Sequence, residues 1–256
     1  MVRAAADTLI NRLAPILGAN QAGQARNKIA SDQLMEEGNL HWKAGRIIHA
    51  GSLFRSAIQA KPSYAESHKR LGALLRKRGK LQSAVAVLQT ALILDPRCGS
   101  TSNTLANVYE MSGNFNQAEG YYLKAVELEP GLAQAFLGIA RVACQRKRWN
   151  EALAATERAE RITPKSTKVA LQAATIKLQT GNPASALNIL LDADKRKPNE
   201  ASIKLSLAET YYQQENIPEA EAALASCLAL EPDNVLGLAM KRNWHNKSGD
   251  EAESHS

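Results

Sequence analysis

The chain has few aromatic residues, few cysteines and no long hydrophobic run, and each of these absences narrows its function. No run of 18 consecutive apolar residues occurs in its 256 residues, so the sequence predicts no membrane-spanning helix. Its three cysteines, Cys98, Cys144 and Cys227, are isolated and odd in number, which indicates neither a disulfide framework nor a zinc site. We therefore expect a reducing, cytoplasmic compartment, with location at a membrane surface as the alternative.

Motifs that carry catalytic chemistry are also missing from the sequence. It contains no GxxxxGK[ST] phosphate loop, no GxGxxG after a strand, no HExxH and no GxSxG. The histidines do not cluster with cysteines or carboxylates at metal-ligand spacing. We therefore expect no enzyme activity, no catalytic residue, no cofactor and no metal.

The net charge of +7 is unevenly distributed along the chain. Residues 1–98 contain 15 Lys and Arg against 6 Asp and Glu, whereas the remaining residues contain 17 against 19. Only the N-terminal 98 residues are basic, and this uneven distribution says more about binding partners than the net charge does.

The sequence contains one strong regularity, a repeat of 34 residues. Prolines recur at that interval without slippage at Pro62, Pro96, Pro130, Pro164, Pro198 and Pro232. A period of this length is typical of a solenoid of stacked helical units rather than of a globular enzyme core. If Ser31 is position 1 of the first repeat, position 20 is always alanine: Ala50, Ala84, Ala118, Ala152, Ala186 and Ala220.

Other positions of the repeat predict helical hairpins. Position 8 is always glycine or alanine, and such small residues let two antiparallel helices approach closely. Position 15 is glycine in four repeats, where a left-handed residue would end the first helix. Each spaced proline closes its repeat because the residue before proline is disfavoured in the helical region. The predicted repeats are 31–64, 65–98, 99–132, 133–166, 167–200 and 201–234.

Residues outside the repeats receive separate predictions. Residues 235–247 place apolar side chains opposite basic ones and predict a capping helix, followed by a disordered polar tail at 248–256. Residues 1–30 form an amphipathic segment, with a linker predicted at 18–25. Three interpretations of that segment remain open: a helix that packs on the first repeat or on a partner, a membrane-surface anchor through residues 2–17, or a cleaved targeting sequence.

The pattern of small residues at positions 8, 20 and 27, tyrosine at position 11 and proline at position 32 resembles the tetratricopeptide repeat family. The resemblance covers residues 31–234 without insertion, although the tryptophan that the family has at position 4 is absent. It implies an all-α, right-handed superhelical solenoid of six 34-residue helix-turn-helix repeats with a C-terminal capping helix.

The resemblance also implies where a partner would bind. Proteins of this family bind ligands in a concave groove lined by first-helix positions 2, 5, 9, 12 and 13. At those positions the chain has cationic and amide residues in repeats two to four, and Leu171, Leu178, Leu205 and Tyr212 in repeats five and six. The candidate partner-binding residues are Lys69, Arg76, Lys77, Asn103, Asn107, Arg141, Leu171, Leu178, Leu205 and Tyr212.

We accordingly expect a non-catalytic scaffold or assembly factor that binds a peptide or helix with acidic and apolar parts. An accessory, substrate-presenting subunit of a transferase enzyme is the alternative, because similar repeats occur beside such enzymes. Binding of RNA through the basic residues between Lys69 and Lys80 is a weaker alternative, because no aromatic side chain stands among them to stack on bases. A peripheral membrane adaptor is the remaining one.

Overall fold

A computed structural model describes the backbone of residues 19–253 and the side chains of residues 27–244. Within that part of the chain the fold is all α-helical, as the sequence predicts, with thirteen helices and no strand. The predictions for residues 1–18 and 254–256 lie outside the described residues.

The helices pair into hairpins whose register follows the proline spacing. They are α1 (Ala19–Lys43), α2 (Ile47–Ala60), α3 (Ala65–Lys77), α4 (Leu81–Leu94), α5 (Gly99–Met111), α6 (Phe115–Leu128), α7 (Ala133–Gln145), α8 (Trp149–Ile162), α9 (Thr167–Gln179), α10 (Pro183–Arg196), α11 (Ala201–Gln213), α12 (Ile217–Leu230) and α13 (Val235–Glu253). From α3 to α11, every first helix of a pair begins at position 1 of a predicted repeat.

Two helices extend further than the sequence pattern predicts. Helix α1 begins at Ala19, so residues 19–25, which were expected to form a linker, are helical. Alanine and glutamine supply most of that stretch, and both have high helix propensity. Helix α13 continues past Lys247 to Glu253, into the stretch expected to be disordered.

The described helices group into two compact units, divided at Gly138 within α7. In unit 1, which ends at Gly138, each helix from α1 to α6 contacts the next, and α3 also contacts α5. A Cβ added to Gly38 would lie 2.6 Å from Cε1 of Phe54, and one added to Gly72 would lie 2.5 Å from Cγ of Leu88. Position 8 is therefore small because the large side chain at position 24 of the same hairpin fills that space.

In unit 2, which begins at Ile139, each helix from α8 to α13 contacts the next, and α9 contacts α11. Its core includes Leu190, Ile203 and Leu207. Lys204 occupies position 4, where the family has tryptophan, and its Nζ lies 2.8 Å from Oδ1 of Asp194. Both side chains are about one-fifth exposed, so this ion pair is largely shielded from solvent.

The turns within the repeats share one backbone conformation at position 15. Gly45, Gly79, Gly113 and Gly181 have φ between 70° and 75°. Lys147 and Glu215 stand at the same position of the fourth and sixth repeats and adopt φ of 57° and 59°, although they are not glycine. The left-handed turn is thus set by the hairpin geometry, and two non-glycine residues accept the associated strain.

Candidate binding surfaces

The ten predicted partner-binding residues fall on two units, five on each. Unit 1 contains Lys69, Arg76 and Lys77 on α3 and Asn103 and Asn107 on α5, which we call the amide–cation surface. Unit 2 contains Arg141, Leu171, Leu178, Leu205 and Tyr212. Because α3 contacts α5, the structure brings the five residues of the amide–cation surface onto neighbouring first helices.

The cations of the amide–cation surface differ in how far other groups of the protein already compensate their charge. Lys69 is half-buried, with Nζ 2.5 Å from Oε2 of Glu66 and 3.3 Å from Oγ of Ser100. Lys77 is exposed. The charge of Lys69 is therefore partly compensated within the protein, whereas that of Lys77 faces solvent.

Two buried polar atoms on this surface have no hydrogen-bond partner among the described residues: Nε of Arg76 and Oδ1 of Asn103. Among the residues with described side chains, the Arg76 guanidinium donates from Nη1 to Sδ of Met111 on α5, at 3.9 Å. Asn107 donates from Nδ2 to the backbone oxygen of Asn103 at 2.7 Å. Arg76 Nε and Asn103 Oδ1 are shielded from solvent, so a bound group could meet them only after their side chains turn outward.

Helix α5 also contains a carboxylate, Glu110, that was not among the predicted binding residues. Glu110 occupies groove position 12 of the third repeat, and the buried Tyr122 hydroxyl donates to its Oε2 at 2.5 Å. Tyr122 is at position 24, where three other repeats have leucine. Tyrosine in place of leucine at this position was the signal in the sequence for a polar contact, but only the packing shows that the hydroxyl reaches α5.

The apolar binding residues predicted in unit 2 are only partly exposed to a ligand. Leu171 and Leu178 on α9 are half-buried and pack against the core cluster that contains Leu190, and Leu205 on α11 is half-buried too. We call these three leucines the aliphatic surface. The ring of Tyr212 stacks on Trp244 of α13, with centroids 4.5 Å apart and planes 4° from parallel, so one of its faces is covered. Arg141 lies half-buried on α7.

The Cys144 thiol and the His68 ring each have a partner within the protein. Burial raises the pKa of the Cys144 thiol, although the Gln172 amide, with Nε2 3.7 Å from Sγ, acts in the opposite direction. A protonated thiol is a weak nucleophile. His68 Nε2 lies 2.9 Å from the backbone oxygen of Pro62. Among the described residues, no group of three His, Cys, Asp or Glu could hold a metal ion, and no helix is long and apolar enough to cross a membrane.

Sequence models of known families identify the repeats. A tetratricopeptide repeat model matches residues 35–97 and 103–167, which together make up half of the chain, and a second one matches residues 177–242. The chain belongs to the tetratricopeptide repeat family. Protein–protein interaction is the general function of tetratricopeptide repeats, and proteins built from them are in general non-catalytic.

Solved structures of other tetratricopeptide repeat proteins have similar folds. PilW, a type IV pilus biogenesis factor, aligns with a TM-score of 0.72 and 14% identity over 82% of this chain and 97% of its own. PilF from Pseudomonas aeruginosa aligns with a TM-score of 0.68 and 19% identity over 85% of this chain and 99% of its own. YrrB, which has an unusual peptide-binding site, aligns with a TM-score of 0.51 and 23% identity over 74% of this chain and 97% of its own. At these identities the likeness shows the fold alone, and no curated protein matches the sequence significantly.

Proposed function

We propose that this protein is an adaptor or assembly scaffold that binds an acidic peptide segment on the amide–cation surface and an apolar segment on the aliphatic surface. The observation that carries the proposal is the set of cationic and amide side chains that the contacting helices α3 and α5 bring together, among them Arg76 and Asn103, each with one polar atom that has no described partner. An unsatisfied buried donor or acceptor costs about 1–3 kcal/mol, and a peptide backbone offers both complementary groups once these side chains turn outward.

The charge of the neighbouring side chains supports an acidic ligand. Lys69, Arg76 and Lys77 stand on one helix, and a carboxylate that approaches Lys77 meets an exposed ammonium group. Such exposed cations accelerate encounter and select the sign of the partner more than they deepen affinity. Glu110 contributes one fixed negative charge on the same group of helices, which favours ligands whose acidic residues lie on the α3 side.

A selection experiment with a defined probe tests the proposal. The purified protein is used to select from a library of random dodecapeptides displayed on phage, and the enriched sequences are read. We expect enrichment of peptides rich in Asp and Glu, which the amide–cation surface would bind, and of peptides rich in Leu, Ile or Phe, which the aliphatic surface would bind. Absence of acidic peptides from the selection would refute the assignment of the amide–cation surface.

Variants then locate the binding site of one enriched peptide. Arg76→Gln with Lys77→Gln should weaken its binding, measured by fluorescence polarisation, by about tenfold, because two nearby charges are removed. The matched control, Arg55→Gln with Lys124→Gln, removes two exposed cations from second helices of the same unit and should change affinity little. Asn103→Leu removes the buried acceptor, and an unchanged affinity in that variant would exclude the proposed backbone hydrogen bond.

A further inference from the structure

A second cationic feature of unit 1 lies at the turns within the first two repeats and shares only Lys77 with the amide–cation surface. The segments Lys43 to Arg46 and Lys77 to Lys80 contain five cations and no acidic residue: Lys43, Arg46, Lys77, Arg78 and Lys80. All five are exposed, and none pairs with a carboxylate of the residues that the structure describes. We call these five residues the basic edge.

The two turns face the same way. Helix α2 packs on α3, and each hairpin reverses direction at its turn, so the α1–α2 and α3–α4 turns lie at the same end of their helices. Gly51 on α2 confirms the close stacking, because a Cβ there would lie 3.4 Å from Cδ2 of Leu74 on α3. The five charges therefore share one edge of unit 1.

This concentration of charge is not a general property of the repeat. The loops at the opposite edge of unit 1 mix signs, with Lys61 in one and Asp95 and Arg97 in the next. In unit 2 the turns at 180–182 and 214–216 contain no cation. The turn at 146–148 is basic, but Arg148 pairs there with Glu151 at 2.9 Å. An edge of exposed like charges without internal partners destabilises the isolated protein slightly and indicates an external anion.

Two large aliphatic side chains flank the first turn of the basic edge. Leu40, on the last turn of α1, is 64% exposed, and Ile48, on the first turn of α2, is 72% exposed. A nucleic acid backbone offers phosphates but little apolar surface to such residues. The interfacial region of an anionic bilayer offers both.

A cleft adjoins the second turn. Its volume is about 810 Å³, and its polar lining comes from Lys80, Gln82, Ser83, Tyr109, Ser112 and Asn114. Hydroxyl, amide and ammonium groups are suited to the phosphate and polyol oxygens of a phospholipid headgroup.

We propose that the basic edge binds the anionic surface of a lipid bilayer, with a phospholipid headgroup in the cleft and Leu40 and Ile48 at the interface. This binding is peripheral and reversible, because it rests on a few charges and two side chains rather than on a spanning segment. It is independent of the peptide-binding proposal, since the variants that test it leave Lys69, Arg76, Lys77 and the asparagines intact.

Vesicle co-sedimentation tests the electrostatic part. The full chain is mixed with vesicles of phosphatidylcholine alone or of phosphatidylcholine with phosphatidylglycerol, and we expect salt-sensitive binding to the second kind only. Lys43→Gln, Arg78→Gln and Lys80→Gln together should weaken that binding by about tenfold or more, since each charge near an anionic surface contributes about fivefold. The matched control is Arg55→Gln with Arg97→Gln and Lys124→Gln, three exposed cations elsewhere in unit 1, which should retain most of the binding.

Depth-dependent quenching tests the apolar part. Ile48→Trp should add tryptophan fluorescence that is quenched by lipids brominated on their acyl chains. Ile93→Trp is the matched control, because Ile93 is 78% exposed but lies near the end of α4, at the opposite edge, and its added fluorescence should not be quenched.

Several results would overturn the proposal. Equal binding to neutral and anionic vesicles would do so, as would equal losses in the edge and control variants or an unquenched Ile48→Trp. Absence of vesicle binding together with retention of RNA by the unmodified chain, lost in the edge variant, would assign the edge to nucleic acid instead. Circular dichroism and melting of all variants establish that the differences do not come from unfolding.

Discussion

Gly138 on α7 provides a sharp test of the packing, because substitution there should act in the opposite direction to normal helix propensity. A Cβ at Gly138 would overlap Cε1 and Cζ of Tyr122 and lie 2.7 Å from its Cδ1. The Tyr122 ring is fully buried, and its hydroxyl is held by Glu110. The ring cannot move away without losing both its packing and that hydrogen bond.

The expected magnitude for Gly138→Ala follows from three opposing contributions. Alanine in place of glycine inside a helix favours folding by about 1 kcal/mol. Overpacking in a closed core costs about 1–3 kcal/mol, and loss of a hydrogen bond to a charged group costs about 1.5–3 kcal/mol if the ring shifts. We therefore expect the free energy of unfolding to fall by about 2 kcal/mol.

Urea denaturation followed by far-ultraviolet circular dichroism measures this change, with Gly120→Ala as the matched control. Gly120 also lies inside a helix, but a Cβ there would meet nothing within 4 Å, so that variant should gain about 0.5–1 kcal/mol. Tyr122→Ala removes the whole ring that clashes, so in that background Gly138→Ala should be neutral or stabilising. A stabilised Gly138→Ala protein with Tyr122 present would refute the packing argument.

Three further predictions concern other parts of the fold. Ala118→Leu should lower the free energy of unfolding by about 1–3 kcal/mol in urea titration, because Ala118 is fully buried at a helix crossing, and a neutral result would show that position 20 does not lie at the crossing. Glu215→Gly should raise stability by about 1 kcal/mol, since φ of 59° strains glutamate but not glycine; a loss of stability would contradict that account. The pKa of the Cys144 thiol is higher in the folded than in the unfolded chain. The free energy of unfolding of the unmodified protein should therefore fall, relative to that of a Cys144→Ala variant, as pH rises through the ordinary thiol pKa. The rate at which iodoacetamide alkylates Cys144 should continue to increase above that pH.

The turns show why so much of the fold was predictable. Proline at position 32, glycine at position 15 and alanine at position 20 each act on the local backbone or on one helix crossing, so a regular spacing conveys the register directly. The structure confirms the all-α repeat fold, and it shows that the Asn182 side chain caps α10 by accepting from the Ser185 N–H at 3.2 Å. It also shows the left-handed turn at Lys147, where the sequence carries no glycine to signal it.

The binding surfaces were less predictable. The ion pair of Lys69 with Glu66 follows from a spacing of three residues in a helix, so the sequence could have indicated it. The covering of Tyr212 by Trp244 could not be foreseen, because it depends on where α13 packs. The sequence pattern placed ten residues on first helices, but it did not show which of their polar atoms already have partners.

The sequence by itself determined the helical hairpin, its period of 34 residues, the number of copies and the basic character of the first 98 residues. These properties follow from local backbone preferences and from composition, which need no knowledge of distant contacts. Only the tertiary structure decided that Tyr122 reaches Glu110, that Arg76 and Asn103 keep buried atoms without described partners, and that five cations share one edge. These contacts depend on how the two helices pack within a hairpin and on how one hairpin stacks on the next, which local backbone preferences do not specify.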